Sequence, residues 1–237
     1  MNINKNTPCE LCQSRKFSLF EGLSEEYLCN LSGHKNLISH KKGQMLYYEN
    51  TRPLGVFCIY SGIVKVFKTA SNGKEQIISL AQKGDFLGYA SLLGEENYSN
   101  SATIIEVALI CFVPKETFLD IMAKDNNFHR RLISALCRTL GGMEEQLTDA
   151  SHKTIRERLA FTLVKLCDSY GVEQGGGRII DIILSREEIA GLVGTSTEPI
   201  IRLLSEFKKD NLIRLDGKKI IVLDKKGLIK LADFYKN

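Results

Sequence analysis

Between Gln44 and Val113 apolar and polar positions fall in short runs that suit half-buried strands. Val56 to Tyr60, Ile63 to Lys68, Gln76 to Leu80 and Ala102 to Val113 are rich in β-branched and aromatic residues. Gly43, Gly62, Gly73 and Gly84 separate them, and Asn72-Gly73 is a good two-residue hairpin turn. The pattern predicts a compact antiparallel sandwich or roll. Ahead of it, Ser24-Glu25-Glu26 opens a short helix, with a hydroxyl to cap the first N–H groups and acids that suit the positive end of the helix dipole.

After Pro114 the period becomes helical. Ile133, Leu136, Leu140, Met143, Leu147 and Ala150 recur at steps of three and four, a narrow apolar seam with Arg, Glu and Gln on the other face. A seam of that width suits pairing of two helices across a dimer axis; the alternative is that the stripe packs on its own roll. Gly141-Gly142 interrupts the pattern at a cost of roughly 1 kcal/mol per glycine relative to alanine, which marks a soft point in the helix. A second domain starts near His152. Thr154 to Cys167 is amphipathic through Ile155, Leu159, Leu163 and Leu166, and Glu173 to Arg178 reads as a flexible Gly-rich loop. The glycines of that loop lack the strand, lysine and hydroxyl that a nucleotide-phosphate loop requires.

From Leu184 to Leu223 the signals are denser. Ser185 and Glu188 form a capping box for a short helix that turns Ile189 and Val193 inward, and Gly194 ends it. Thr195 or Ser196 caps a second helix, Thr197 to Lys209, with Pro199 tolerated in its first turn and Ile200, Leu203, Leu204 and Phe207 as its buried stripe. Two short helices joined by a glycine turn are the helix-turn-helix, whose second helix enters the DNA major groove. Leu212 to Leu215 and Lys219 to Leu223, joined at Asp216-Gly217, make a wing that offers Arg214, Lys218 and Lys219 to phosphates. The exposed face of the second helix carries Thr197, Glu198, Ile201 and Arg202. Arginine pairs with guanine, glutamate accepts from the cytosine amino group, and Thr197 or Ile201 supplies methyl contact to thymine. The bland alternative is that Glu198 and Arg202 form a solvated ion pair. The predicted DNA-binding set is Ser185, Thr195, Ser196, Thr197, Glu198, Ile201, Arg202, Lys208 and Lys218.

Charge agrees. Met1 to Ala150 carries 16 basic and 16 acidic residues, and Ser151 to Asn237 carries 16 and 12, so the whole surplus of +4 lies in the C-terminal part, as a polyanion-binding module needs. With 43% hydrophobic residues the chain is neither disordered nor fibrous. Met1 to Ser18 lacks a signal-peptide core, and the stretch Ala102 to Val113 is broken by Glu106, so no membrane association and a cytoplasmic protein are expected. Seven cysteines in such a chain should be reduced thiols rather than a disulfide framework. A cupin-like metalloenzyme is excluded by the absence of histidine from Gln44 to Val113, and His34, His40, His129 and His152 have no ligand spacing.

The segment Leu184 to Leu204, LSREEIAGLVGTSTEPIIRLL, resembles the DNA-binding signature of the CRP/FNR regulator family. Gly43-Gln44, Ser61-Gly62 and Gly84-Asp85-Phe86-Leu87-Gly88 match the turns of its β-roll, and the resemblance extends over nearly the whole chain. It implies an α+β protein: an N-terminal antiparallel β-roll of the jelly-roll, cyclic-nucleotide-binding-domain kind, a long dimerisation helix and a C-terminal winged helix-turn-helix. The expected organisation is an N-terminal cysteine segment (1–18), a sensor roll (19–118), a dimerisation helix (119–151) and a DNA-binding domain (152–237). It further implies a homodimer on a palindrome with half-sites about one helical turn apart, and RNA polymerase as partner. The resemblance assigns base reading to Glu198 and Arg202, with Thr197 and Ile201 at variable positions. A nucleotide-binding module that acts on a protein partner is the competing function.

Cyclic-nucleotide-binding members resemble one another after the Gly-Asp-Phe turn, with a glutamate on the ribose and an arginine on the phosphate. Here Tyr89 and Asn100 stand at those positions, so cyclic AMP binding is not expected. The candidate effector pocket comprises Gly88, Tyr89, Ala90, Asn100 and Ser101. Cysteine placement resembles the oxygen- and nitric-oxide-sensing branch: Cys9 and Cys12 form a CxxC, and Cys111 falls at the distant ligand position. Ser18 occupies the place of that branch's third N-terminal cysteine, and Cys29 substitutes if the first helix folds back. These four thiols are candidates for an iron–sulfur cluster. A zinc site, a dithiol switch and a cofactor-free role, with Cys111 a small core residue, are the alternatives.

Overall fold

The computed structural model describes residues 7–174 and 177–232. It divides into two units: Met1–Gly73 with Ile77–Gly141, and Lys74–Gln76 with Gly142–Asn237.

In the first unit, two single 3-10 turns, Cys9–Leu11 and Arg15–Phe17, lead into α1 (Glu25–His34). Ser24 caps α1, its hydroxyl accepting from the Tyr27 N–H at 3.4 Å. The strands are β1 (Asn36–His40), β2 (Met45–Tyr47), β3 (Gly55–Thr69), β4 (Glu75–Ala81) and β5 (Phe86–Leu87). After β5 come α2 (Tyr89–Leu93) and β6 (Ser101–Pro114). The sheet runs β1-β6-β3-β4, with β2 also on β6 and β5 on β3. The two short strands β1 and β2 lacked enough alternation to stand out in the sequence.

The two runs predicted as separate strands around Ser61-Gly62 are one strand. Its register against β6 shifts between Ile59 and Val64, and the parity of its buried side chains changes there. Val56 and Cys58 pack in the cluster with α1 and the following helices, whereas Ile59, Val64 and Val66 enter the roll interior. An extra residue in one strand produces that inversion. The hairpin after β3 is longer than the predicted Asn72-Gly73 turn: the Gly73 N–H bonds to the Ala70 carbonyl at 2.9 Å.

The predicted single helix after Pro114 is two, α3 (Lys115–Lys124) and α4 (Asn126–His152). Asp125 separates them because its carboxylate caps the Phe128 N–H at 2.7 Å. Phe118 and Phe128 meet edge to face with centroids 5.6 Å apart, and Phe20 stacks on Phe128 at 5.7 Å, so both helix starts are buried beside the N-terminal turns. Of α4, Phe128 and Leu132 alone are fully buried among the described residues. The division into units falls inside this helix, between Gly141 and Gly142.

The second unit contains α5 (Ile155–Tyr170), β7 (Gly171–Gln174), β8 (Gly177–Ile180), α6 (Arg186–Val193), α7 (Thr197–Lys209), β9 (Ile213–Asp216), β10 (Lys219–Val222) and α8 (Lys225–Ala232). Thr154 and Glu157 form a capping box on α5. The predicted Gly-rich loop is instead a hairpin, Glu173 pairing with Arg178; Gly175 and Gly176 lie outside the described residues. The wing is part of a four-stranded sheet, β7-β8-β10-β9. Asp216 pairs with Lys219, so the two linking residues are Gly217-Lys218 rather than Asp216-Gly217. No described helix is long and apolar enough to cross a membrane.

Candidate functional site

Helix α6 starts where its capping box demands. The Glu188 N–H donates to the Ser185 hydroxyl at 3.1 Å and the Ser185 N–H donates to the Glu188 carboxylate at 2.6 Å. Gly194 ends it in the left-handed region, φ +74°, and the N–H groups of Gly194 and Thr195 both return to the Ala190 carbonyl. Ser196 then occupies the N-cap of α7, but neither it nor Thr195 makes the capping bond expected of it. Pro199 removes one of the two donors such a cap can use. A capping hydroxyl accepts from the second or third N–H of the helix, and at the third position proline has none. Among the described residues the hydroxyl of Ser196 has no capping role.

On α7, Ile200, Leu203, Leu204 and Phe207 are buried as predicted. The opposite face presents Glu198, Ile201, Arg202, Ser205 and Lys208 to solvent, with Thr197 partly exposed at its start. Ile201 is 51% exposed, a large apolar side chain with no core to fill. No ion pair joins Glu198 to Arg202 among the described residues; Arg202 lies 3.9 Å from Glu206 instead. Glu206 is held elsewhere: the Arg156 guanidinium on α5 donates to Glu206 at 2.7 Å and to Asp210 at 2.9 Å, with its plane 4.9 Å from the Phe207 ring centre. A second arginine of α5, Arg158, donates to the carbonyls of Val193 at the end of α6 and of Lys153 and Ala150 after and within α4. Two arginines thus set the two helices of the motif on α5, a role that sequence pattern alone did not reveal because their partners are distant in the chain. Arg186, also unforeseen, reaches the Gly217 carbonyl of the wing turn at 3.5 Å, and burial holds its guanidinium below the usual range. Lys218 and Lys219, with Arg214 on β9, are exposed around that turn.

On α4, Ile133, Leu140, Met143 and Leu147 are exposed and Leu136 is half-buried. Within the first unit, Ile133 and Leu140 turn outward rather than into the roll.

The predicted effector residues separate into two surroundings. Gly88 has φ +83°, and a Cβ there would come within 3.1 Å of the Tyr98 ring. Tyr98 stacks on Tyr47 with centroids 4.0 Å apart, and the Tyr47 hydroxyl donates to the Asn100 side-chain carbonyl at 3.0 Å. Buried Ser101 accepts from the Glu49 N–H at 2.9 Å. Tyr89 instead lines a cavity of about 620 Å³ with Lys16, Arg131 and Arg138, while Ala90 is exposed. Arg131 donates to the Leu19 carbonyl through Nε, and its buried Nη2 has no partner among the described residues.

Of the predicted thiols, Cys9, Cys12 and Cys111 come together and Cys29 does not; it is exposed on α1. In its place stands Cys58, which sequence reasoning passed over. Cys9, Cys12, Cys58 and Cys111 line one small cavity of about 20 Å³ with Arg15, Ser18 and Lys35. Burial pushes the thiols of Cys9 and Cys58 up, and that of Cys111 up to about 11 against a lowering by Lys35. Among the described residues no three His, Cys, Asp or Glu side chains are gathered closely enough to hold a single metal ion.

A β-roll followed by a winged helix-turn-helix with a free recognition face is the architecture of a DNA-binding transcription regulator. Residues 37–125 match the model of the cyclic nucleotide-binding domain and residues 157–231 that of the Crp-like helix-turn-helix domain. The chain belongs to the CRP/FNR family. The fumarate and nitrate reduction regulatory protein of Escherichia coli (strain K12) is 26% identical over 97% of this chain and 92% of its own length. Likeness of fold extends to a CRP/FNR-family transcriptional regulator from Thermus thermophilus, with a TM-score of 0.72 at 21% identity, covering 84% of this chain and 98% of that one. It extends also to a CooA mutant from Carboxydothermus hydrogenoformans, with a TM-score of 0.74 at 22% identity, covering 98% and 97%.

Proposed function

We propose that the protein is a cytoplasmic homodimer, paired through Ile133, Leu136, Leu140, Met143 and Leu147, that reads a palindromic operator and acts there on RNA polymerase. Two recognition helices related by a two-fold axis meet half-sites about one helical turn apart. Glu198 and Arg202 read base edges, Thr197 and Ile201 add apolar contact, and Ser185, Thr195, Ser196, Lys208 and Lys218 meet the sugar-phosphate backbone. The observation that carries this reading is the division of α7: one side buried by four apolar residues, the other exposing Glu198, Ile201 and Arg202.

The signal is redox, oxygen or nitric oxide, sensed at the N-terminal thiols. The Escherichia coli relative's name, fumarate and nitrate reduction regulatory protein, supports that choice. Cyclic AMP is not expected as the effector: Tyr89 and Asn100 stand where binding members carry the glutamate and the arginine, Asn100 and Ser101 are engaged within the roll, and the Tyr98 ring lies against Gly88. Calorimetric titration should register no tight binding of cyclic AMP.

The direct test is selection of an operator from random duplexes, followed by binding of variants. Arg202→Ala should cost about 1 to 3 kcal/mol and relax preference at one base pair of each half-site, whereas Lys218→Ala should weaken all duplexes alike and flatten the salt dependence. Equal affinity of the wild type and Arg202→Ala for the selected operator would falsify base reading.

A further inference from the structure

Arg158, in the first turn of α5, is half-buried, and its guanidinium donates to main-chain carbonyls of two other helix ends. Nη1 reaches Ala150 at 3.3 Å, in the last turn of α4, and Lys153 at 3.0 Å, just after it. Nε reaches Val193, the last residue of α6, at 3.0 Å, and Nη2 reaches the cap residue Gly194 at 3.5 Å. A helix leaves carbonyls without internal partners at its C-terminal end, and the negative pole of its dipole lies there. One planar cation with donors on several sides therefore serves two such ends at once. The junction has a second brace. Lys153 pairs with Asp149 of α4 at 2.9 Å, and its ammonium lies 4.6 Å from the Phe161 ring centre of α5. Past Gly194, Thr195 and Ser196 alone separate α6 from α7, and the Thr195 N–H is tied back to the Ala190 carbonyl at 3.0 Å. A path of fixed contacts thus runs from the end of α4 through Arg158 to the start of the recognition helix.

We propose that Arg158 determines half-site spacing: by joining the C-terminal ends of α4 and α6 it fixes the angle at which each recognition helix leaves the dimerisation helix. The inference rests on the reading of the protein as a homodimer on a palindrome, and it adds the residue that makes the dimer selective for one separation. Arg158 itself touches no base; it is a positioning residue. One base pair added between half-sites moves the second by about 3.4 Å along the duplex and turns it by about 35° around the axis. Two reading heads fixed to paired helices cannot follow both displacements, whereas heads that swivel at residues 151–154 can. Without the guanidinium, the carbonyls of Ala150, Lys153, Val193 and Gly194 turn to water, and no single angle is imposed. The loss then falls on discrimination among spacings more than on contact with either half-site.

The test uses the full chain and three duplexes: the selected operator, and the same half-sites with one base pair removed from or added to the spacer. Affinities are read by fluorescence anisotropy at one salt concentration. Wild type should prefer the selected spacing by about a hundredfold, since the wrong spacing forfeits the tethered second contact. Arg158→Met keeps a long stem to pack and removes every donor; its preference should shrink to about tenfold or less, whatever its affinity for the selected operator. Arg158→Lys should fall between the two, because an ammonium lacks the rigid fork. Arg156→Ala, whose lost partners lie on α7 and not on α4, should weaken all three duplexes by one common factor. A wild-type spacing profile in folded Arg158→Met overturns the proposal, as does equal flattening in Arg156→Ala. Should circular dichroism show Arg158→Met unfolded, a wild-type profile in Arg158→Lys has the same force. Wild type that binds the three duplexes alike removes the reading of a palindrome by a dimer, and this inference with it.

Discussion

At Gly62 the backbone has φ +89°, and a Cβ there would lie 2.5 Å from the Ala108 Cα and from the Val107 carbonyl oxygen, both backbone atoms of the partner strand. Neither can yield without moving β6. Gly62→Ala should therefore destabilise the roll by about 1 to 3 kcal/mol, the usual cost of a strained backbone position, and urea unfolding followed by circular dichroism reads it. A change within a few tenths of a kcal/mol would mean that the register shift is not enforced there. A second residue-scale consequence concerns alkali. Burial raises the Tyr98 hydroxyl to about 12, so the folded chain keeps a proton that the unfolded chain gives up near 10. Whatever stability this contributes is complete below pH 10 and drains away as pH climbs through 12. Tyr98→Phe should remove that part of the loss, so its unfolding free energy should fall less steeply than the wild type's between pH 10 and 12; parallel curves would contradict the assignment.

Elements with a local signature were readable in advance. The caps at Ser24 and Ser185, the break at Gly194 and the buried stripe of α7 all stand where residue chemistry puts them. What the chain hid depends on partners distant in sequence. The β7–β8 hairpin looked like a loop because glycine weakens strand signals, yet β10 gives β8 a neighbour. Cys58 carried no motif, and its place in the thiol cavity follows from a strand register. Arg156 is of the same kind, and its effect on α7 can be bounded. Its two carboxylate partners are half-exposed, which limits each pair to about 0.2 to 1 kcal/mol, and the guanidinium over Phe207 adds about 0.5 to 1 kcal/mol. Arg156→Ala should cost about 1 to 2 kcal/mol in thermal or urea unfolding, and Arg156→Lys should recover less than half, because an ammonium lacks the two-pronged donor. The same change frees Glu206 to draw on Arg202, now 3.9 Å away, so operator affinity should drop even where the fold persists. Unchanged affinity in a folded Arg156→Ala protein would show that Glu206 does not compete for Arg202, the arginine proposed to read bases.

For the whole molecule, the proposed dimer makes α4 the element that would decide whether two recognition helices act together. Leu140 is 60% exposed and Leu147 is 71% exposed, on the face that also carries Ile133 and Met143. Left in water, such a stripe forgoes on the order of 25 cal/mol for each Å² of apolar surface, and a two-fold partner with the same seam removes that surface from water on both sides. A charge placed in the seam meets its own copy across the axis. Leu140→Glu and Leu147→Glu should therefore convert the dimer to monomer in sedimentation velocity at micromolar concentration while leaving circular dichroism unchanged, since neither side chain fills a core. Operator affinity should collapse in the same variants, because a monomer engages one half-site and loses the effective concentration that tethers the second. Glu144→Ala, on the polar flank of the same turn, should leave both assembly and affinity as they are. Sedimentation of Leu140→Glu as an intact dimer would place the two-fold contact elsewhere on the molecule, and a monomer that still gripped the full palindrome would detach operator reading from pairing altogether.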